Sequence, residues 1–384
     1  MSFTTNISKT KLTGKKIGIY FGTFAPLHAG HQAEIYKALI ENDGLILLVS
    51  GYDGDRGDKI GLDLQKRFRY LREAFNDEPN IYVGSIDENN IPRYPDGWTK
   101  WLEALMSQVD HAVTETFGHD YTFYVGEDDY VKELRERTAK FEDGNTYHVV
   151  KSDRSDIQIS ATMIREHPMA HWNYINRVFR RHFTKKVLVV GSASTGKSTL
   201  IRRLSRSINA PFSEEYARTY EEESNVTDEE LDATDYMRFI QGQYDANSKE
   251  INSPSNNGIV FLDTDAIVTR VYAQMGLTDE ENAKMEPFFQ DTIANEKFDL
   301  ILVIPPITEY VDDGFRDMSQ SDDDTRWDFH NRLMAMLKEF GFEDKIEILD
   351  DRGGERDEMG FYARFNHAKQ AVQNRLGVDM SVMK

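Results

Sequence analysis

Short apolar runs alternate with segments of helical periodicity along the whole chain. In the first half, the apolar runs predict strands at Lys16–Phe21, Leu45–Ser50, Ile81–Ser85, Tyr121–Val125 and Thr146–Val150. The segments between them predict helices near His31–Asn42, Leu62–Phe75, Trp98–Val109 and Tyr130–Arg137. Strands and helices that alternate in this way are typical of a parallel sheet covered by helices on both faces.

The same alternation starts again after a polar and basic stretch. It predicts strands at Lys186–Val190, Gly258–Leu262, Leu300–Ile304 and Ile346–Leu349. It predicts helices at Lys197–Ser207, Asp228–Asn252, Asp279–Asn295, Thr325–Phe340 and Glu355–Arg375. A chain of 384 residues exceeds what one core usually organises. We expect the α/β class with two doubly wound parallel-sheet domains, divided into an arm at 1–15, a first domain at 16–167, a linker at 168–185 and a second domain at 186–384.

Composition narrows the class of protein. Hydrophobic residues make up 39% of the chain and charged residues 29%, a balance typical of globular domains. No apolar run approaches the roughly 20 residues of a spanning helix, and the first residues lack the apolar segment of a signal peptide. We expect a cytoplasmic protein without a membrane partner. The absence of cysteine excludes disulfides, thiolate metal ligands and a cysteine nucleophile. The net charge of -20 repels polyanions, so we expect no nucleic-acid partner.

The first predicted strand runs into a loop that suits phosphate binding, Gly22-Thr-Phe-Ala-Pro-Leu-His-Ala-Gly-His31. Ligands of doubly wound sheets lie at this carboxyl end of the strands. Glycine lets the backbone turn tightly and approach a phosphate. His28 and His31 are three residues apart, so they can donate hydrogen bonds to one ligand as negative charge develops. The candidate nucleotide-binding residues are Gly22, Thr23, Phe24 and Gly30, and the catalytic candidates are the two histidines.

A second motif follows near the end of the first domain, at Ile159-Ser-Ala-Thr-Met-Ile-Arg165. Ser160 and Thr162 lie at a helix start, where hydroxyl and free N–H groups can bind a triphosphate that Arg165 clamps. The two motifs resemble the signatures of the nucleotidyltransferase superfamily, which transfers AMP or CMP to a phosphate or carboxylate and releases pyrophosphate. The resemblance implies in-line attack by the acceptor and no covalent nucleophile.

The acceptor of this first site is less clear. Trp98 and Trp101 lie three apart at a predicted helix start, where either could belong to the core. Trp98 is at the loop edge and is the better candidate to stack on an aromatic base, including a cationic ring. The polar run Asp55–Lys59 follows a strand end and could contact phosphate or ribose, although short polar loops are common.

The second domain opens with the most specific signal in the chain. Its first strand is followed by G-x-x-x-x-G-K-S and then a helix, which is the context that a P-loop requires. Backbone N–H groups of such a loop hold phosphates, the lysine offsets their charge, and the serine binds Mg²⁺. The candidate ATP-binding residues are Gly191, Thr195, Gly196, Lys197, Ser198 and Thr199, with Ser198 as a metal ligand.

Other residues fall where a small-molecule kinase needs them. Asp263 ends the next apolar strand and could bind the metal, while Asp265, Glu215 and Arg218 are candidate acceptor ligands. The general base stays open among Asp263, Asp265 and Glu215. Arg316, in Asp313-Gly-Phe-Arg316-Asp, resembles the lid arginine of nucleoside and monophosphate kinases; Arg326 is a second candidate.

The order of the two domains resembles the bacterial bifunctional nicotinamide-mononucleotide adenylyltransferase and ribosylnicotinamide kinase family. Glu-Tyr-Ala-Arg, Asp-Thr-Asp and Asp-Gly-Phe-Arg in the kinase carry the resemblance, which covers Lys16 to Arg375. It implies ATP and Mg²⁺ as cofactors. Nicotinamide riboside would be phosphorylated to the mononucleotide, NMN, which would then receive AMP from ATP and become NAD. The implied partners are these small molecules, and a homo-oligomer stays open.

Two alternatives and one exclusion complete the sequence-based picture. The same two reactions could act on another phosphorylated vitamin precursor and another nucleoside, because the motifs identify ATP and not the acceptor. A nucleotide sensor is a second alternative, although a sensor does not need a complete transfer apparatus. Longer relatives carry a DNA-binding helix-turn-helix and repress transcription. Only residues 1–15 precede the first predicted strand, so we expect no repressor function.

Overall fold

The computed structural model describes residues 11–93, 95–152, 157–310, 322–355 and 357–381. The chain divides into two compact units, Met1–Phe183 and Thr184–Lys384. Each unit contains one five-stranded sheet. All the strand pairs are parallel, with helices between the strands, so the predicted α/β class is confirmed. Within the described ranges, no helix is both long and apolar enough to cross a membrane.

The sheet of the first unit has the strand order β3-β2-β1-β4-β5. Its strands are β1 (Lys16–Gly22), β2 (Gly44–Gly51), β3 (Ile81–Asp87), β4 (Asp120–Val125) and β5 (Thr146–Lys151). The chain crosses from one side of β1 to the other between β3 and β4, so the carboxyl ends of β1 and β4 form a topological switch point. A ligand crevice is expected there.

Helices cover both faces of this sheet. They are α1 (Ala29–Glu41), α2 (Leu64–Ala74), α3 (Trp98–Ala112), α4 (Asp128–Thr138), α5 (Ala161–Glu166) and α6 (Arg177–Phe183). The interior strand β2 is apolar on both sides, because Ile46 and Leu48 pack in one core cluster while Leu45 and Leu47 pack in the other. A continuous apolar run is typical of a strand that is buried on both faces.

The segment expected to be a linker belongs to the first unit as far as Phe183. Helix α6 buries Phe179 completely and sets its ring edge-on to Tyr70 of α2 at 5.3 Å. Arg181 of the same helix pairs with Glu73 of α2. Helix α6 therefore packs on α2 through apolar and basic side chains together, and its many basic residues gave the segment the sequence pattern of a linker.

The second unit has the strand order β10-β9-β6-β8-β7. Its strands are β6 (Lys185–Val190), β7 (Phe212–Ser213), β8 (Ile259–Asp263), β9 (Leu300–Val303) and β10 (Ile346–Ile348). The edge strand β7 has only two residues and was not predicted. The helices are α7 (Lys197–Ile208), α8 (Tyr216–Ser224), α9 (Ala233–Ile251), α10 (Ala266–Gly276), α11 (Asp279–Asn295), α12 (Asp323–Glu339) and α13 (Phe361–Leu376).

Three helices of this unit differ from the expectation, and one of them, α8, was not predicted. The long predicted helix starts at Ala233, because the Asp232 carboxylate caps its first turn by accepting from the N–H groups of Thr234 and Asp235. Helix α10 was not predicted, since seven of its eleven residues are buried and it has no polar stripe. A helix that is apolar all round gives no periodic signal in the sequence.

Two candidate nucleotide sites

The loop after β1 brings the two predicted histidines together. His28 is the residue before α1, and His31 lies in its first turn. Their rings stack with centroids 3.7 Å apart, and Phe24 meets His31 edge-on at 5.0 Å. A side chain at Gly30 would lie 3.2 Å from the His28 ring, so the absence of one lets the loop close around the imidazoles. Both histidines therefore face one cleft at the end of β1.

A buried arginine that the sequence analysis missed holds this loop in place through a hydrogen bond to its backbone. Arg67 of α2 is completely buried, and its Nη1 donates to the carbonyl oxygen of Thr23 at 2.7 Å. Its Nη2 pairs with the Asp55 carboxylate at 2.7 Å. Burial opposes ionisation of Asp55, but N–H donation from Asp58 and the charge of Arg67 hold its pKa below the ordinary value. In the sequence, Arg67 resembles any surface charge of an amphipathic helix.

The second motif closes the same cleft. Ser160 caps α5 by accepting from the N–H of Met163 at 3.2 Å. Arg165 donates from Nη1 to the carbonyl oxygen of Ala25 at 2.8 Å and from Nη2 to the Thr162 hydroxyl at 2.8 Å. The two motifs are far apart in the sequence but line one cleft, and Arg165 joins them by hydrogen bonds.

The resulting cleft has a volume of about 190 Å³ and is mostly suited to an anion. Burial, and next the positive charge of Arg56, lower the pKa of Arg165. Arg56 is the member of the polar run after β2 that reaches the cleft. Glu34 is also present and was not predicted. The lining residues used below are His28, Gly30, His31, Glu34, Arg56, Ser160 and Thr162.

An aromatic cluster lies at the same edge of the sheet, beside the end of β1. Trp98, the first residue of α3, is only 7% exposed and meets Trp101 at 5.6 Å and Tyr130 at 4.8 Å, both edge-on. Phe21 of β1 meets Trp101 at 4.9 Å, and the Trp101 indole N–H donates to Glu88 at 3.2 Å. Trp98 does not line the histidine cleft. Both tryptophans belong to the core, and Trp98 lies at its margin.

The P-loop lies between β6 and α7. Its backbone has positive φ at Ser194 (61°) and at Gly196 (88°), as a loop that turns N–H groups inward requires. The Lys197 ammonium donates to the Ser192 carbonyl oxygen at 3.2 Å, and the Thr195 hydroxyl donates to the same oxygen at 2.9 Å. The Phe361 ring packs so closely on Gly196 that a side chain there would collide with it.

The two predicted metal ligands are in direct contact. Ser198 donates its hydroxyl to Asp263 Oδ2 at 2.8 Å. Burial, and next the negative charge of Glu215, raise the pKa of Asp263. Asp263 Oδ1 has no hydrogen-bond partner within the described ranges. A hydroxyl beside a carboxylate with one unused oxygen fits the donor set that Mg²⁺ prefers.

The acceptor end of this cleft differs in part from the expectation. The cleft has a volume of about 570 Å³ and includes Glu215 and Arg218 in its lining. Asp265 is outside the lining, because its carboxylate caps α10 by accepting from the N–H of Val268 at 3.4 Å. Burial, and next the charge of Glu296, raise the pKa of Asp265 to about 8. Thr264 lines the cleft in its place, with a φ of 74° that is rare for a β-branched residue.

Glu221 is a site residue that the sequence did not reveal. It lines the kinase cleft close to Asp228 and the aromatic rings of Tyr236 and Tyr272. Burial, and next the negative charges of Asp228 and Glu215, raise its pKa to about 8. The P-loop end of the cleft therefore suits phosphate, whereas the opposite end is acidic and aromatic.

The predicted lid arginine, Arg316, lies outside the described residues. The second candidate, Arg326 on α12, is 2% exposed and donates from Nη1 to the Thr308 carbonyl oxygen at 2.8 Å. The Thr308 hydroxyl in turn donates to the Ser194 carbonyl oxygen of the P-loop at 3.4 Å. Arg326 thus supports the P-loop through one intermediate residue.

Comparisons with known proteins agree with this division of the chain. A family model described as cytidylyltransferase-like matches residues 19–167, and one described as an AAA domain matches residues 186–356. A solved structure of NadR protein in complex with NR is 57% identical, covers 98% of this chain and 100% of its own, and superposes with a TM-score of 0.88. The chain belongs to the NadR family.

A second NadR structure, in complex with NAD and AMP-PNP, is 56% identical, covers the same shares of both chains and has a TM-score of 0.85. The trifunctional NAD biosynthesis/regulator protein NadR of Salmonella typhimurium is 29% identical over 94% of this chain and 84% of its own length. The family that the sequence analysis identified by resemblance is therefore confirmed.

Proposed function

We propose that this protein makes NAD from nicotinamide riboside in two ATP-dependent steps. The second unit phosphorylates the riboside to NMN, and the first unit transfers AMP from ATP to NMN and releases pyrophosphate. The observation that carries the proposal is the coexistence of the histidine cleft and the P-loop cleft in a chain that matches NadR over nearly its whole length. NadR has been solved with NR and with NAD and AMP-PNP.

In the adenylyl transfer, an NMN phosphate oxygen attacks the α-phosphorus of ATP, and the bond to the pyrophosphate oxygen breaks. His28 and His31 donate hydrogen bonds to the phosphoryl group as its charge grows. Ser160, Thr162 and Arg165 hold the leaving pyrophosphate at the start of α5. The protein supplies positioning and charge neutralisation and forms no covalent intermediate.

Trp98 is proposed to contact the nicotinamide ring of NMN. Its margin position in the aromatic cluster, at the end of β1, supports this role. An indole face attracts a cationic ring by about 0.5–2 kcal/mol. The small exposed fraction means that only a modest part of the indole is available before the ligand enters.

In the kinase reaction, the 5′-hydroxyl of the riboside attacks the γ-phosphorus of ATP, ADP leaves, and the hydroxyl proton moves to a carboxylate. Lys197 and the P-loop N–H groups hold the phosphates, and Ser198 and Asp263 would hold Mg²⁺, which offsets phosphate charge. We favour Glu215 as the base, because it lines the cleft whereas Asp265 caps a helix and Asp263 contacts Ser198. Arg218 is proposed to orient the acceptor.

The direct test is to incubate the purified protein with nicotinamide riboside and Mg-ATP and to follow the products by chromatography. We expect transient NMN followed by NAD. NMN alone would support the kinase and leave the adenylyl acceptor open. No product from either riboside or NMN would refute the substrate assignment and favour another acceptor or a nucleotide sensor. The cytoplasmic location, the absence of a nucleic-acid partner and the oligomeric state stay predictions.

A further inference from the structure

One acidic side chain lies in a cleft that otherwise suits an anion. Glu34 is on α1, one turn after His31, and lines the histidine cleft. It is 6% exposed. Its Oε2 is buried and has no hydrogen-bond partner within the described part of the chain.

The position of Glu34 conflicts with the proposed ligand. ATP brings a polyphosphate into a cleft lined by His28, His31 and Arg56, all suited to negative charge. A carboxylate in the same partly dehydrated space repels that polyphosphate, and the repulsion is stronger than in bulk water because the dielectric constant is lower. A buried carboxylate oxygen without a partner is itself unfavourable. A structural role for Glu34 leaves both costs unexplained.

We propose that Glu34 is a ligand of the divalent cation that enters the adenylyltransferase cleft with ATP. Hard cations such as Mg²⁺ prefer oxygen ligands and are commonly bound by one or two carboxylates together with substrate phosphates. Within the described residues, no group of three or more His, Asp, Glu or Cys side chains could hold a metal without a nucleotide. The polyphosphate would supply the remaining ligands, and the cation would offset the repulsion between the phosphates and Glu34.

This inference rests on the proposed function of the first unit, and it explains why a carboxylate is placed beside the two histidines. Glu34 would hold the cation together with the polyphosphate, and the cation would supply charge neutralisation there. His28 and His31 act on the phosphoryl group that is transferred.

A binding experiment tests the proposal without relying on turnover. The full-length Lys197→Ala protein, in which the kinase site is disabled, serves as the background. Glu34→Gln is added to it, and binding of the α,β-methylene analogue of ATP is measured by calorimetry with Mg²⁺ and with EDTA. Glu41→Gln is the matched control, because Glu41 is the other acid of α1, is exposed, and can still accept from the Tyr124 hydroxyl as glutamine.

The two forms of the nucleotide should respond in opposite directions. Glu34→Gln should weaken binding of the Mg²⁺ complex and tighten binding of the metal-free analogue, each by at least about fivefold. This lower limit corresponds to the interaction energy of two unit charges in contact in bulk water, about 1 kcal/mol. The preference for the metal complex should persist in Glu41→Gln. Mn²⁺ bound to the background protein with the analogue should give an immobilised electron paramagnetic resonance spectrum that Glu34→Gln loses.

Four other outcomes would overturn the proposal. Tighter binding of both forms would mean that Glu34 restrains a cationic side chain of the cleft, and equal weakening of both would mean a structural role. If the background protein binds no analogue although it is folded by circular dichroism, the proposed adenylyltransferase site fails and the metal proposal fails with it. Binding of the analogue with no metal preference in the background would refute the metal proposal alone.

Discussion

Arg165 donates to the carbonyl oxygen of Ala25 at 2.8 Å across 140 positions of the sequence. Its other terminal nitrogen donates to the hydroxyl of Thr162 at 2.8 Å. One planar guanidinium therefore sets the separation between the histidine loop and the start of α5. A lysine ammonium carries the same charge but cannot make both bonds in this fixed geometry.

Arg165→Lys should consequently impair adenylyl transfer even though the charge is kept. We expect kcat/KM for NMN adenylylation to fall by about 10²–10³-fold, the loss typical of one transition-state donor. Phosphorylation of nicotinamide riboside, measured in the same preparation, serves as the control for folding. A fall of less than about threefold would show that charge alone suffices and that the guanidinium geometry is not needed.

The two active sites should fail separately. Lys197→Ala should abolish riboside phosphorylation and leave NMN adenylylation intact, because Lys197 lies in the P-loop of the second unit and is absent from the histidine cleft. His31→Ala should do the reverse and lose about 3 kcal/mol of transition-state stabilisation in the first unit. Both activities are measured on each variant by chromatography. Loss of both activities in either variant would contradict independent catalysis.

The Arg67–Asp55 pair should stabilise the first unit more than any surface ion pair. Both side chains are buried, and Arg67 also donates to the Thr23 and Ser50 carbonyl oxygens. Arg67→Met leaves Asp55 without its counter-ion, so the free energy of unfolding of this unit should fall by about 3–5 kcal/mol. Urea unfolding followed by the tryptophans, all of which lie in the first unit or α12, measures it.

Arg181→Met is the matched control for that variant. Arg181 also pairs with an acid of its own unit, Glu73, but it is partly exposed, so its loss should cost at most about 1 kcal/mol. Equal effects of the two variants would show that burial of Arg67 adds nothing. Asp55→Asn should also be costly, because an amide cannot accept the Arg67 charge as a carboxylate does.

The sequence predicted every sheet strand except β7 and both candidate phosphate loops, because these depend on local patterns. Apolar runs mark β1 and β2, and glycine spacing marks Gly191 and Gly196. The two arginines that support the first cleft, Arg67 and Arg165, differ in whether a local sequence pattern identifies them. Arg165 belongs to a motif, whereas the partners of Arg67 are carbonyl oxygens of other segments, and no pattern in α2 distinguishes it from an exposed arginine.

The acceptor end of the kinase was harder to predict for the same reason. Asp265 follows the strand end at the spacing of a ligand, but its carboxylate is used as the cap of α10, a helix with no periodic signal. Glu221 lies on a polar helix in which acids are common, and only the fold shows that it faces the cleft. Contacts between segments distant in the sequence therefore determine that Asp265 caps a helix and that Glu221 faces the cleft.

Glu221 should make riboside binding depend on pH. Burial and the neighbouring Asp228 and Glu215 raise its pKa to about 8, so it is largely protonated in the free protein at neutral pH. Nicotinamide riboside is a cation, so it should bind more tightly when the Glu221 carboxylate is ionised. Its affinity should therefore rise as the pH increases through this pKa, and binding near neutral pH should release a proton.

Calorimetry in buffers of different ionisation enthalpy, without ATP, measures both effects. Glu221→Gln should remove most of the proton release and flatten the pH dependence, whereas Glu223→Gln, which removes an exposed acid of the same helix, should keep both. The same pKa shift predicts that the free second unit loses stability as the pH rises from the ordinary value of 4.5 towards 8, because the folded state holds the proton more tightly. Glu221→Gln should reduce that loss. An unchanged pH dependence of binding in Glu221→Gln would assign the charge recognition to Glu215 or Asp228 instead.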